Sequence, residues 1–486
     1  MHLLANKSVY VAGLGASGRA ACALLLRRGA RVTAADAADT EALRQVAREL
    51  RAQGVSVTLG AAAAPAGAFD LAVVSPGISL EHPLVNPLVV AGTPVIGELE
   101  LGYQQSYCLN VAITGTNGKT TTTELIEKVL THAHRTTVAA GNIGLPLCDV
   151  ADRTRELDFL TLEVSSFQLE TIHYFRPVVA VLMNLTPDHF DRYTGMADYI
   201  RAKARIFMNQ QAFDWAIVQF EALTQMQAMK LSIPSKIITF SAQDRQADIF
   251  LDRSLLISRI EGWVGPLLDM NHARLRGPHN AENMMAALAV GRVLRLPLEV
   301  VAEALKKYDP APHRCELVAE INGVKYINDS KATNVDAVRK AIQTIPVTTQ
   351  GQANLWLIAG GKDKGFDYQE LAPSFPGRVK GAFLIGETRE KLQAAWGDFT
   401  QCVLEESLTN AVMAAARQAE PGDTVLLSPA CSSFDQFQNY QHRGEVFRAA
   451  VGALKNTTDC GCTFCETQHS GAALNNAKSE LKETRL

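Results

Sequence analysis

The chain has 486 residues, 47% apolar and 20% charged, with a net charge of −3; this excludes an intrinsically disordered chain and leaves no basic stripe for a nucleic-acid backbone. No run of about 18 apolar residues occurs, so no membrane insertion is expected. Met1 to Lys7 lead into a strand-like segment without a signal-peptide core, and the expectation is a cytoplasmic monomer that acts on small molecules.

The length is several times that of one hydrophobic core, so several domains are expected. From residue 8 to about 107, apolar runs such as Val9–Ala12 and Leu71–Val74 alternate with alanine-rich helical stretches at 17–29 and 40–53. This alternation predicts a βαβ unit with a parallel sheet. Inside it, Gly13-Leu14-Gly15-Ala16-Ser17-Gly18 follows a strand and opens a helix, with Asp36 eighteen residues after the last glycine. Taken alone, that fingerprint suits an NAD(P)-binding oxidoreductase. The same turn, however, serves any diphosphate laid on a helix N-terminus.

A second series opens at Asn110–Ile113 and continues through the strands 159–162 and 178–182. The first of these strands runs into Thr114-Gly115-Thr116-Asn117-Gly118-Lys119-Thr120-Thr121, and a helix follows. Strand, glycine loop and helix form the context of a phosphate-binding loop. Glycines let backbone N–H groups approach phosphate, the helix N-terminus favours an anion, Lys119 can reach the β- and γ-phosphates, and Thr120 is placed to ligate Mg²⁺. The loop is shorter than the full G-x-x-x-x-G-K-[ST] form, because Ile113 stands where the first glycine would be. Glu163 ends the next recognised strand, where a carboxylate can hold a hard cation. Asp188, His189 and Asp191 cluster at a third strand end.

Near residue 310 the run Asp309-Pro310-Ala311-Pro312 interrupts the pattern, since two closely spaced prolines resist both helix and sheet interior. A third βα series follows, with strands at 355–359, 382–385 and 424–427 and a helix over 443–455. The expected fold class is therefore α/β, with three consecutive domains: a Rossmann-like domain (1–107), a central P-loop ATPase-like domain (108–311) and a second Rossmann-like domain (312–455). Residues 456–486 read as a flexible tail. Cys22, Cys108, Cys148, Cys315, Cys402 and Cys431 lie singly inside apparent elements and read as reduced, buried thiols. In the tail, Cys460, Cys462 and Cys465 fall short of a zinc set unless His469 serves as the fourth ligand.

These motifs, in this order, resemble the Mur ligase family of peptidoglycan synthesis. The resemblance spans residues 5–455 and adds Gly141-Asn142-Ile143-Gly144, Gly277-Pro278-His279-Asn280 with Asn283, Pro312-His313-Arg314, Asn328 to Asn334, Gly360 to Gly365 and Ser428 to Phe437. It implies an ATP-dependent amide-bond-forming ligase that adds D-glutamate to UDP-N-acetylmuramoyl-L-alanine through an acyl phosphate. Another member with a different amino-acid acceptor is the alternative. The resemblance further implies that Gly115, Thr116, Asn117, Gly118, Lys119, Thr120, Thr121, Asn280, Asn283, Arg314 and Asp329 hold ATP. Two Mg²⁺ ions would be held by Thr120, Glu163, His189 and Lys203, the last as a carbamate. Gly15, Ala16, Ser17, Asp36, Ser75, Pro76, Gly77, Asn142 and His189 would bind the UDP substrate, and Lys331, Thr333, Lys364, Ser433 and Phe434 would receive D-glutamate. One departure is Cys315, where the family commonly has an aromatic residue.

Overall fold

In the computed structural model, which describes residues 4–190, 192–309, 312–346 and 351–459, three sheets follow one another along the chain. The first contains β1 (Ser8–Ala12), β2 (Arg31–Ala35), β3 (Ser56–Thr58), β4 (Leu71–Val74) and β5 (Val95–Gly97), parallel throughout in the order β3-β2-β1-β4-β5. The helix Ala16–Arg27 follows β1 directly and buries Ala20, Ala21, Leu24 and Leu25 against the sheet. Small and apolar positions three and four apart form its inner stripe.

The second sheet contains β6 (Leu109–Thr114), β7 (Thr137–Gly141), β8 (Phe159–Glu163), β9 (Val179–Leu182), β10 (Trp215–Gln219), β11 (Lys236–Ser241), β12 (Ile249–Asp252), β13 (Leu255–Ser258) and β14 (Gly265–Asp269). Its order is β14-β13-β12-β11-β10-β9-β6-β8-β7, with β12 to β14 antiparallel and the rest parallel. The helix Pro278–Val293 is buried on nearly every side, including Glu282 and Asn283, and packs beside the helix Lys119–His132.

The third sheet contains β15 (Glu316–Ile321), β16 (Val324–Asn328), β17 (Leu355–Gly360), β18 (Val379–Ile385), β19 (Gln401–Leu404) and β20 (Thr424–Leu427), ordered β15-β16-β20-β17-β18-β19. Only the β15–β16 pairing is antiparallel. The central strands are apolar on both faces, as helix-covered parallel strands are.

The first and second sheets are fastened by the helix Glu98–Gln104, whose Glu98 and Glu100 are buried. Glu100 accepts the backbone N–H groups of His173, Tyr174 and Phe175 at 2.9–3.0 Å. Gly97 lies so close that a Cβ there would stand 2.3 Å from the Thr171 hydroxyl.

Several expectations need amending. Strands β2, β3, β5, β7, β10, β11 and β19 and the hairpins β12–β14 and β15–β16 are present beyond the strands named from the sequence. The last helix spans Tyr440–Asp459 rather than 443–455, so it enters the segment read as a tail. Asp191, the Pro310-Ala311 boundary and the group Cys460, Cys462, Cys465 and His469 lie outside the described residues. Cys22, Cys148 and Cys431 are buried free thiols, whereas Cys108, Cys315 and Cys402 are only partly buried. Among the described residues no helix is long and apolar enough to cross a membrane.

Candidate active site

β6 delivers the chain into the glycine loop, and two positions there have no room for a side chain. Gly115 has φ +146°, and a Cβ on it would stand 2.8 Å from that of Met183; Gly118 has φ +85°, and a Cβ there would stand 2.4 Å from Asn283 Oδ1. Both lie in the left-handed region that glycine alone adopts at low cost. The loop is braced from the end of β9: Thr116 N–H donates to the Asn184 carbonyl at 3.0 Å and Asn117 N–H to Asn184 Oδ1 at 2.8 Å. The Thr116 hydroxyl donates to the Thr186 carbonyl at 2.9 Å. The fourteen-residue helix Lys119–His132 then turns its unsatisfied N–H groups toward the loop, a natural anion site.

Lys119 folds back over the loop, its Nζ 2.9 Å from the carbonyls of both Gly115 and Thr116. Burial lowers its pKa, against the opposing pull of Glu163 and Asp188. The buried carboxylate of Glu163 accepts from the Thr120 hydroxyl at 2.6 Å and from Asn142 Nδ2 at 2.7 Å, so the end of β8 ties the helix start to the Gly141–Gly144 loop. Asn283 accepts from the Thr122 hydroxyl at 3.2 Å and donates to Asn280 Oδ1 at 3.0 Å. These contacts place both asparagines beside the loop.

His189 sits at φ +57°. Burial lowers its pKa, although Asp188 opposes the shift, so near neutrality it is an imidazole with a free lone pair. Asp188 is buried; burial alone would raise its pKa, but Lys364, His189 and Lys119 hold it below the ordinary value. Lys203, on the helix Met196–Ala204, is buried behind the loop and donates to the Gly115 carbonyl at 2.9 Å. Burial, with Lys119 nearby, lowers its pKa well below that of an ordinary lysine.

The third sheet closes the opposite wall, its residues standing at the carboxyl ends of parallel strands, where ligands of such sheets bind. Asp329, just past β16, accepts from the Ser428 hydroxyl at 2.9 Å and from the Cys315 N–H at 3.2 Å. Its burial pushes its pKa up to about 7. Lys331 lies 4.0 Å from the centre of the Tyr440 ring, and burial lowers its pKa to about 8. Lys364, beyond β17, pairs with Asp188 at 3.7 Å.

The result is one cleft of about 280 Å³ that brings together Thr116 to Thr121, Asn142, Glu163, His189, Asn280, Asn283, Arg314, Asp329, Lys331, Thr333 and Lys364. Gly115 and Lys203 stand behind its floor. Ser433 and Phe434 lie off its wall, the first buried and the second exposed. Cys315 lines the cleft, so a small thiol stands where an aromatic ring was the family expectation. Gly15, Ala16, Ser17, Ser75, Pro76 and Gly77 lie apart from it, at the strand ends of the first sheet. There, Asp36 accepts the N–H groups of Leu14 at 2.7 Å and Ala38 at 2.9 Å, and the Ser75 hydroxyl donates to the Gly13 carbonyl at 3.2 Å.

Sequence reasoning gave no role to Asn334, Asp336 and Lys340. Asn334 caps the helix Val335–Thr344 by accepting from the Ala337 N–H and also donates to Asp188 Oδ2 at 3.3 Å. Asp336 accepts from Asn117 Nδ2 at 2.7 Å and from the Thr186 hydroxyl at 3.3 Å, and pairs with Lys340 at 2.9 Å. The readable signals were the N-cap asparagine and the Asp336–Lys340 spacing of one helical turn.

The donor set suits hard cations accompanied by phosphate oxygens: a hydroxyl and a carboxylate at Thr120 and Glu163, and an aspartate and a neutral imidazole opposite. Among the described residues no three His, Cys, Asp or Glu side chains form a complete metal site by themselves. Any cation here would therefore share its coordination with a ligand or water.

Three family models match the chain in turn: the Mur ligase MurD-like N-terminal domain over residues 7–97, the Mur ligase middle domain over 113–291, and the Mur ligase glutamate ligase domain over 313–431. The UDP-N-acetylmuramoylalanine–D-glutamate ligase of Acidobacterium capsulatum is 42% identical, across 92% of this chain and 96% of that protein. The enzyme of the same name from Trichlorobacter lovleyi is also 42% identical, across 93% of this chain and all of that protein. Among solved structures, the UDP-N-acetylmuramate–alanine ligase of Thermotoga maritima superposes with a TM-score of 0.59 at 16% identity, covering 93% of this chain and 100% of that one. At that identity the likeness is one of fold.

Proposed function

The chain belongs to the Mur ligase family, and from that premise we propose that it joins D-glutamate to UDP-N-acetylmuramoyl-L-alanine with hydrolysis of ATP to ADP and phosphate. The observation that carries this reading is the convergence in one cleft of the phosphate loop, the Glu163 and Asp188–His189 strand ends, and the cationic groups Lys331 and Lys364 of the third sheet.

A carboxylate is a poor electrophile at neutral pH. Its oxygen attacks the γ-phosphorus, the bond to ADP breaks, and an acyl phosphate forms. The D-glutamate nitrogen then attacks the carbonyl carbon, phosphate leaves with the carboxylate oxygen, and the nitrogen gives up a proton. Several anionic groups must be held together for this, and Lys119, Arg314, Lys331 and Lys364 supply fixed positive charge within the cleft. Lys119, released from the two loop carbonyls, follows the β- and γ-phosphates. Thr116 and Asn117 orient the loop, and Asn280, Asn283, Arg314 and Asp329 form the nucleoside side.

Two Mg²⁺ ions, when bound, would neutralise phosphate charge; Thr120 with Glu163 would hold one, and His189 with Lys203 as its carbamate the other. A buried amine with a lowered pKa is a nucleophile for CO2. Formation of the N–C bond and loss of a proton would turn Lys203 into an anionic oxygen ligand.

Gly15, Ala16, Ser17, Asp36, Ser75, Pro76 and Gly77 of the first sheet would take the uridine diphosphate, with Asn142 and His189 nearer the reacting alanine. Lys331, Thr333, Lys364, Ser433 and Phe434 would receive D-glutamate. In this reading 1–107, 108–311 and 312–455 act as the UDP, ATP and amino-acid domains of a cytoplasmic enzyme. The test is ADP release with UDP-N-acetylmuramoyl-L-alanine while the acceptor is varied among D-glutamate, L-glutamate and L-alanine. Release that depends on D-glutamate is expected; equal release with all three, or with none, contradicts the assignment.

A further inference from the structure

Arg443, near the start of the helix Tyr440–Asp459, is among the largest fully buried side chains, with 0% of its surface exposed. Its Nε donates to the Ser330 hydroxyl at 3.0 Å and its Nη2 to the Ser330 carbonyl at 2.8 Å. Its Nη1 donates to the carbonyls of Cys431 at 3.2 Å and Ser432 at 3.4 Å. A Cβ on Gly361 would stand 3.2 Å from the same Nη1. Ser330, Gly361 and Cys431–Ser432 follow β16, β17 and β20, which are neighbours in the sheet in the order β16-β20-β17. One guanidinium therefore bonds two adjacent strand-end loops and lies close beside the third. Those loops carry Lys331 and Thr333, Lys364, and Ser433 and Phe434, the whole surface assigned above to the acceptor amino acid.

The chemistry of this brace is unusual. A buried cation is costly unless it is paired, yet among the described residues none of the hydrogen-bond partners of Arg443 is a carboxylate. Burial lowers its pKa to about 10, so it keeps its charge at neutral pH. Neutral carbonyls and a hydroxyl satisfy its donors, and Asp435 and Asp329 act on its charge only through space, without a hydrogen bond to it; the charge lies behind a surface already bearing Lys331 and Lys364. A dianionic acceptor is the complement of such a crest.

We propose that Arg443 is a positioning residue for the acceptor: it ties the loops after β16 and β20 together beside the β17 loop and sets a fixed positive charge behind the surface that receives two carboxylates. This rests on the functional reading above. The positive charge favours a dicarboxylic amino acid over a monocarboxylic one, and the loss of that charge falls on the acceptor rather than on ATP.

The test compares full-length wild type, Arg443→Gln and Arg443→Lys for the KM of D-glutamate, ATP and UDP-N-acetylmuramoyl-L-alanine, with thermal melting alongside. Arg443→Gln is expected to raise the D-glutamate KM about ten-fold or more and to leave the ATP KM within about two-fold, while Arg443→Lys recovers most of the loss. A purely structural brace would lower the melting temperature and leave the D-glutamate KM of the folded enzyme unchanged, or raise all three KM values alike; either result overturns the proposal. Should Arg443→Gln fail to fold, Arg443→Lys decides: a D-glutamate KM within about three-fold of wild type supports the charge role, and a rise of about ten-fold or more refutes it. Wild type that does not use D-glutamate overturns the functional reading and this assignment together, whereas active wild type with an unaffected Arg443→Gln overturns this assignment alone.

Discussion

Replacing Asp336 by alanine removes two of the contacts that join the third sheet to the phosphate-loop side of the cleft, while those of Asn334 and Lys364 to Asp188 remain. Two of the Asp336 contacts cross between sheets, Asn117 Nδ2 at 2.7 Å and the Thr186 hydroxyl at 3.3 Å; the others, Lys340 at 2.9 Å and Arg339 at 3.5 Å, stay within its own helix. Hydrogen bonds to a charged group contribute about 1.5–3 kcal/mol each when buried. The Asp336 side chain is 11% exposed and the longer contact is weak, so about 2 kcal/mol for the crossing pair is a fair figure. Removing an anion from a cleft that binds polyanions works the other way, but Lys340 already neutralises most of that charge. The crossing contacts therefore decide the sign. Asp336→Ala is expected to lower kcat/KM for D-glutamate about thirty-fold, with a smaller loss for ATP, because the third sheet brings the acceptor surface to the loop. Asp336→Asn, which keeps an oxygen acceptor for Asn117, should lose less. Steady-state ADP release and small-angle scattering with an ATP analogue and the muramoyl substrate read the two effects. A kcat/KM within about two-fold of wild type, with unchanged scattering, would refute the reasoning.

Lys119→Ala should abolish ADP release and leave the melting curve intact, because its ammonium bonds only loop carbonyls; phosphate release near wild-type rates would contradict its role. Lys203→Ala should be inactive and partly rescued by short carboxylic acids, and no rescue under any condition would count against a carbamate. Glu98 is buried, with one oxygen accepting the Cys148 N–H at 2.7 Å, and burial raises its pKa from 4.5 to about 7. A carboxyl raised in the folded state stabilises fully below its unfolded value, and that stability is lost as pH rises through about 7. Glu98→Gln should therefore gain up to about 3 kcal/mol relative to wild type at pH 8 and little at pH 5, read by chemical denaturation. An equal difference at the two pH values would show that Glu98 is not the titrating group.

The phosphate loop was legible because its geometry is local: a strand, two glycines without room for a Cβ, and a helix whose first residue is Lys119. Glu163 was legible as a carboxylate ending an apolar strand. Asn334 and Asp336 were not, because their partners Asn117 and Asp188 lie about 150 to 220 residues away and only packing of the second sheet against the third joins them. Arg443 gave no signal at all; a lone arginine in a helix is ordinarily a solvated charge, and only the meeting of three strand ends buries it. The β12–β14 hairpins escaped notice because their strands are short. In β13 only alternate positions are deeply buried, in β14 only Leu267 and Leu268 are, and the Arg253 turn lacks a glycine.

The central claim, that this cleft phosphorylates a carboxylate which an amine then attacks, is tested most directly by isotope transfer. UDP-N-acetylmuramoyl-L-alanine carrying ¹⁸O in its alanine carboxylate is turned over with ATP and D-glutamate, and the released phosphate is analysed by mass spectrometry. One labelled oxygen per phosphate is the predicted result, because the carboxylate oxygen that attacked the γ-phosphorus leaves with it. Phosphate free of label, with amide still formed, would contradict the account.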